Sequence, residues 1–142
     1  MITKKKQLSE IPFSELCKQA RTKTINYPIG PFNISLQTDI PDFLQTFIKM
    51  YSSLPLITEP NISDFHIRIK QKQGIRRFLR PQSVFSIDNV KPFEPYHYSH
   101  AYPLGEWGLN WCIALSAHKN IMLHSAVLEH KGVAIIFPAK PG

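Results

Sequence analysis

The apolar positions of this chain switch repeatedly between a helical and an extended period. Ile11, Phe13, Leu16, Cys17 and Ala20 fall at helical spacing after a polar start, which predicts a short amphipathic helix over residues 10–21. Ser9 stands where a capping side chain would, and Pro12 suits a first helical turn. Residues 24–37 predict two strands broken at Ile29-Gly30-Pro31, because Phe32, Ile34 and Leu36 alternate with polar neighbours. Asp39 and Pro41 signal a second helix start. Phe43, Leu44, Phe47, Ile48 and Tyr51 then lay an apolar stripe over residues 41–52.

The extended period returns where Phe65, Ile67 and Ile69 alternate with His66, Arg68 and Lys70, the pattern of a half-buried strand. Gln73-Gly74 turns the chain into a further strand at Ile75–Leu79, and Val84, Phe85 and Ile87 make another that ends at Asp88-Asn89. Together they predict an antiparallel meander. Residues 91–103 hold three prolines and several aromatics and read as a linker. Leu104 to His118 reads as a helix carrying Trp107, Trp111 and Leu115, although Gly108 weakens it by about 1 kcal/mol relative to Ala. Ile121–Leu128 and Val133–Phe137 are two strongly apolar strands joined by a hairpin at His130-Lys131-Gly132. The second runs directly into Pro138-Ala139-Lys140-Pro141-Gly142. The expected organisation is an α+β N-terminal domain over residues 1–95. Residues 96–142 are expected to supply a linker and the opening helix and β-hairpin of an α/β domain.

Charge narrows the choice of partner. Lys and Arg number 17 against 10 Asp and Glu, a formal net charge of +7 that favours nucleotides, acidic proteins or nucleic acid. The cations are scattered, and no basic stripe with interleaved aromatics marks a nucleic-acid binder, so a solvated surface is the plainer reading of Lys4-Lys5-Lys6 and Arg76-Arg77. Cys17 and Cys112 lack metal-ligand spacing and read as buried free thiols. His97 and His100 stand three apart, but no Cys or carboxylate pattern completes a four-ligand metal site, so a surface loop is favoured. Glu106 reads as the buried partner of a basic residue or as a helix N-terminal carboxylate. Trp107 and Trp111 read as core anchors rather than base-stacking groups. With no apolar leader and no run approaching a membrane span, the expected compartment is the cytoplasm.

An apolar strand leading into a Pro/Gly-rich segment has the layout that precedes a phosphate-binding loop. There, successive backbone N–H groups cradle phosphate oxygens. The specific part of that motif is its Gly-Lys-Ser/Thr end, which would be expected after Gly142. The stretch HSAVLEHKGVAIIFPAKPG, from His124 to Gly142, resembles the region of HPr kinase/phosphorylases where a His opens a strand, a hairpin returns and the ATP-binding loop follows. Glu106-Trp107-Gly108-Leu109-Asn110-Trp111 and Leu123-His124-Ser125-Ala126-Val127 resemble the branch called HPr-kinase-related kinase A. Gly30-Pro31-Phe32 and Leu79-Arg80-Pro81-Gln82 do so as well. The resemblance runs from about residue 25 to the end and is densest in the last third.

The resemblance implies ATP- and Mg²⁺-dependent phosphorylation of a serine on a protein partner, by a P-loop fold related to phosphoenolpyruvate carboxykinase. It implies His124 as the active-site His, and Ala139, Lys140, Pro141 and Gly142 as the first half of the ATP-binding loop. The loop lysine, the Mg²⁺-binding hydroxyl and the general base are expected after Gly142, so these residues alone are expected to be inactive. The chain departs from the family at Ala139, which replaces a glycine, and at Pro141, which has no N–H to offer a phosphate. Ser125-Ala126 stand where HPr kinases have a Gly beside the His. These departures leave HPr itself in question as the substrate. By sequence, a tight hairpin is expected to carry His124 and the loop to opposite ends unless the fold brings them together. An open apolar hairpin also predicts self-association into homo-oligomers. The rival readings are a non-catalytic protein-binding or regulatory module and a basic nucleic-acid-binding domain.

Overall fold

The computed structural model describes residues 6–58, 62–123 and 125–139. They form a mixed α+β fold with three α-helices and two sheets.

Helix α1 (Phe13–Thr22) starts one residue after Pro12, which sits at the N-cap instead of in the first turn. Ser9 does not cap it. That residue lies inside a preceding 3-10 turn, Leu8–Glu10, where the Gln7 N–H donates to Glu10 Oε2 at 2.9 Å. Strands β1 (Ile25–Ile29) and β2 (Phe32–Thr38) form the expected antiparallel pair. Helix α2 (Pro41–Met50) places Pro41 at its start, where a missing N–H costs nothing. Asp39 has a different task from the expected start signal, because its Oδ1 accepts the Gln71 N–H at 2.8 Å.

Because α2 crosses over, strand β3 (Phe65–Gln71) lies parallel to β2. Strands β4 (Gln82–Ile87) and β5 (Tyr96–His97) follow antiparallel, giving the sheet order β1-β2-β3-β4-β5. The expected strand at Ile75–Leu79 is instead a short 3-10 turn, Ile75–Phe78. Both edges of β3 are occupied by β2 and β4, so the intervening residues have no ladder to join. The Lys72 N–H, bonded to the Gln82 carbonyl at 2.8 Å, closes the excursion at its base.

Register fixes which face is buried. Leu36, Ile67 and Ile87 lie side by side across β2, β3 and β4, and so do Thr38, Ile69 and Phe85. Helices α1 and α2 and this face enclose a core that includes Leu16, Ile34, Phe43, Phe47, Ile67 and Phe85. The opposite face carries Gln37, Arg68 and Ser86 in one row, with Lys70 opposite Val84.

Helix α3 (Ala101–Ser116) begins three residues before the expected start, with Pro103 in its first turn. It packs on β3, β4 and α2, and Leu104, Leu109 and Cys112 join the same core. Two glycines make this approach feasible. A Cβ at Gly108 would fall 2.2 Å from the Phe85 ring, and one at Gly105 would fall 2.6 Å from both Ile69 and Phe43. The residue that lowers helix propensity is therefore the one that lets α3 close on the sheet. Trp107 stacks on Phe93 at 4.1 Å between centroids, and Trp111 meets the same ring edge-on at 5.5 Å. Both rings thus hold the segment ahead of α3, but only Trp111 packs against the core; Trp107 is exposed and is not the core anchor expected of it.

Strands β6 (Ser125–His130) and β7 (Val133–Pro138) form a separate two-stranded sheet. Lys131 and Gly132 both take positive φ at the turn, and the Gly132 N–H donates to Glu129 Oε1 at 2.6 Å. Paired positive φ values match the twist of a two-residue hairpin. β6 is shorter than expected, because Ile121–Leu123 lie outside it and are exposed.

Candidate functional site

Of the residues singled out by the resemblance, Ala139 is described, just past the open end of the β6–β7 hairpin. His124, Lys140, Pro141 and Gly142 lie outside the described residues. Their neighbours are described. Ser125, which follows His124, pairs with Pro138, which precedes Ala139. The expectation that the hairpin carries the two segments to opposite ends is therefore corrected. An antiparallel hairpin returns its second strand to the level where the first began. Ala139 is exposed just past that pair.

The described part of this end offers one side-chain hydroxyl, that of Ser125, and no carboxylate. An open depression of about 540 Å³ adjoins it, lined by Asn110 of α3 with Met122, Leu123 and Ser125. No group of three or more His, Cys, Asp or Glu that could hold a metal ion exists among the described residues. A Mg²⁺ ion at this end would need ligands from residues other than these.

The hairpin is open on both faces. Val127, Leu128, Val133, Ile135, Ile136 and Phe137 are all about half exposed or more, from 49% at Ile136 to 65% at Val133. Continuous apolar residues on alternate faces are the mark of strands covered on both sides. Here neither cover is completed by the described residues.

The remaining candidates have structural explanations. Glu106 is engaged by Tyr51, whose hydroxyl donates to its Oε2 at 3.0 Å, and it forms no ion pair with a basic residue among the described residues. Burial and then the Glu106 carboxylate push the Tyr51 hydroxyl up to about 12. Burial and the same carboxylate also raise Tyr102 above its ordinary value. Both phenols therefore stay protonated and able to donate. The sequence hint was the Tyr51 position on the apolar stripe of α2, but nothing in it linked that residue to Glu106. His97 and His100 are exposed, with ring centroids 6.1 Å apart and His97 Nδ1 at 2.8 Å from Ser99 Oγ. Cys112 is buried as expected, and burial pushes its thiol up to about 11. Cys17 is half-buried.

No helix is long and apolar enough to cross a membrane among the described residues. Comparison with protein-family models, with curated proteins and with solved structures returned no match.

Proposed function

We propose that the chain is the N-terminal part of an ATP-dependent serine kinase of the HPr-kinase-related type, with the phosphate-binding loop following β7. The observation that supports this reading most is the register of the hairpin. It pairs Ser125 with Pro138 and so sets the segment after His124 beside the segment before Ala139. A His and a phosphate-binding loop must work at one place, and a strand pair with this register is suited to serve both. The two open apolar faces of β6 and β7 also suit strands that a larger sheet would continue and cover.

In this reading backbone N–H groups of the loop hold phosphate oxygens, and ATP with Mg²⁺ supplies the transferred phosphoryl group. Pro141 contributes no donor, so the cradle would rest on its neighbours. His124 would act beside the triphosphate as a donor or proton shuttle. The lysine and the metal-binding hydroxyl would come from residues after Gly142, so residues 1–142 alone should bind ATP·Mg²⁺ weakly or not at all.

The test uses the protein extended through the reading frame beyond Gly142. That frame should continue with Gly-Lys-Ser/Thr spacing. Replacing His124 by Ala should then lower phosphoryl transfer by roughly 10²–10⁴-fold, the usual contribution of a positioned acid–base group. A lowered melting temperature with unchanged kcat would reduce His124 to a core residue. A frame without the lysine would end the kinase reading.

A further inference from the structure

Among the described residues, the outer face of the five-stranded sheet collects more positive charge than the carboxylates beside it can balance. Arg68 and Lys70 point to the face opposite Ile67 and Ile69, and Lys72 continues the alternation just past the end of β3. Lys70, Lys72 and Lys91 line a depression of about 410 Å³ over β3 and β4. Lys72 also borders a second depression, of about 240 Å³, whose other cations are Arg77 and Arg80. A solvated sheet face commonly carries lysines. This one differs in how its charges are partnered.

Among the described residues, Arg68 hydrogen-bonds the Asn89 side-chain amide and Arg77 the Gln73 amide, both neutral groups. Asp39 is the single carboxylate lining either depression, and its Oδ1 is engaged by the Gln71 N–H. Five cations thus line the two depressions with one anion, and Arg68 stands beside Lys70 on the same sheet face. Such a face concentrates anions and steers them by its field.

We infer that this face docks an acidic, extended segment of a partner protein. The fit is one of spacing and of lining. Alternate residues of a strand stand roughly 6.6–6.8 Å apart, so Arg68, Lys70 and Lys72 repeat at the same interval as the alternate side chains of an extended peptide. Val84 and Ser86, the small side chains opposite Lys70 and Arg68, lie alongside on the same face. No aromatic ring lines either depression to stack a base, which disfavours a single-stranded nucleic acid. The inference needs no nucleotide and does not rest on the kinase reading.

The test is fluorescence anisotropy of a labelled peptide of alternating glutamate and serine, titrated with the full chain. Binding is expected, with an affinity that falls as salt rises. The pair Lys70→Glu and Lys72→Glu should weaken it by about tenfold or more. The pair Lys18→Glu and Lys49→Glu changes the net charge equally on exposed positions of α1 and α2, and should change the affinity far less. If the first pair fails to fold by circular dichroism, Arg80→Glu with Lys91→Glu takes its place. The inference is overturned by absence of peptide binding or by equal losses in the two lysine pairs. Tighter capture of an oligothymidylate or of phosphatidylserine vesicles than of the peptide would also overturn it, assigning the face to nucleic acid or to lipid.

Discussion

At the scale of single residues, Gly108 decides how closely helix and sheet can meet. Its missing Cβ leaves room for three atoms of the Phe85 ring, all of which a methyl group would approach within 2.5 Å. Phe85 is fully buried, so the ring has nowhere to withdraw. Replacing Gly108 by Ala gains about 1 kcal/mol of helix propensity. Overpacking a tight core costs about 1–3 kcal/mol, and the immobile ring places this site toward the upper end. Gly108→Ala should therefore lower stability by a net ~1 kcal/mol, read as a lower denaturant midpoint, whereas Asn110→Ala on the exposed side of α3 should not. A midpoint raised by Gly108→Ala would mean that the ring gives way. From the sequence the glycine was visible only as a weakness in a helix. Its purpose depends on Phe85, from a distant strand. Glu106 was equally opaque, since its tyrosine partner comes from α2, across the core.

At the scale of elements, strand identity was legible wherever one face is buried. Phe65, Ile67 and Ile69 alternate because β3 presents alternate residues to the core, and the same pattern marks β2. Ile75, Phe78 and Leu79 misled because β-propensity says nothing about a free edge to pair with. They are exposed by 87%, 76% and 83% instead. The parallel arrangement of β2 and β3 was not predicted, although α2 between them supplies the crossover that such a pair needs. The hairpin was read as apolar at nearly every position, and its register, not its composition, revealed that Ser125 and Pro138 meet. With half-exposed Val127, Leu128, Ile135 and Phe137, this pair should promote association of the 142-residue chain. Sedimentation velocity should show mass rising with concentration. Val127→Lys together with Ile135→Lys should suppress both association and the binding of an apolar dye. A wild-type chain that stays monomeric and binds no dye would refute this.

For the molecule as a whole, the protonation state of its interior sets an alkaline limit to stability. The folded state raises Tyr51 from 10.0 to about 12 and Cys112 from 9.0 to about 11. A group raised on folding holds its proton longer in the native state than in the unfolded chain, so its contribution is fully present below the unfolded value. That contribution is lost as pH rises through the folded value. The melting temperature should accordingly fall from about pH 9 onward, and most steeply between about pH 10 and 12. Tyr51→Phe should be less stable near neutrality, for want of the bond to Glu106, yet show a shallower fall above pH 10. An unchanged slope would show that Tyr51 does not carry the dependence.

The way α3 closes over Phe85, Phe43 and Ile69 also orders events in time. A chain emerging from the ribosome presents β1 to β5 with α1 and α2 first, but the part of the sheet face around Phe85 and Ile69 stays uncovered until the helix ending at Ser116 arrives. The segment around Leu8 waits as well, since its N–H is bonded by the carbonyl of Leu54. The hairpin is made after these elements and takes no part in sealing that interior. Synthesis adds about 5–20 residues each second, so the five-stranded unit has a brief interval in which to consolidate before the most adhesive strands are released. The order of the chain thus shelters its own early folding from the surface most prone to capture it.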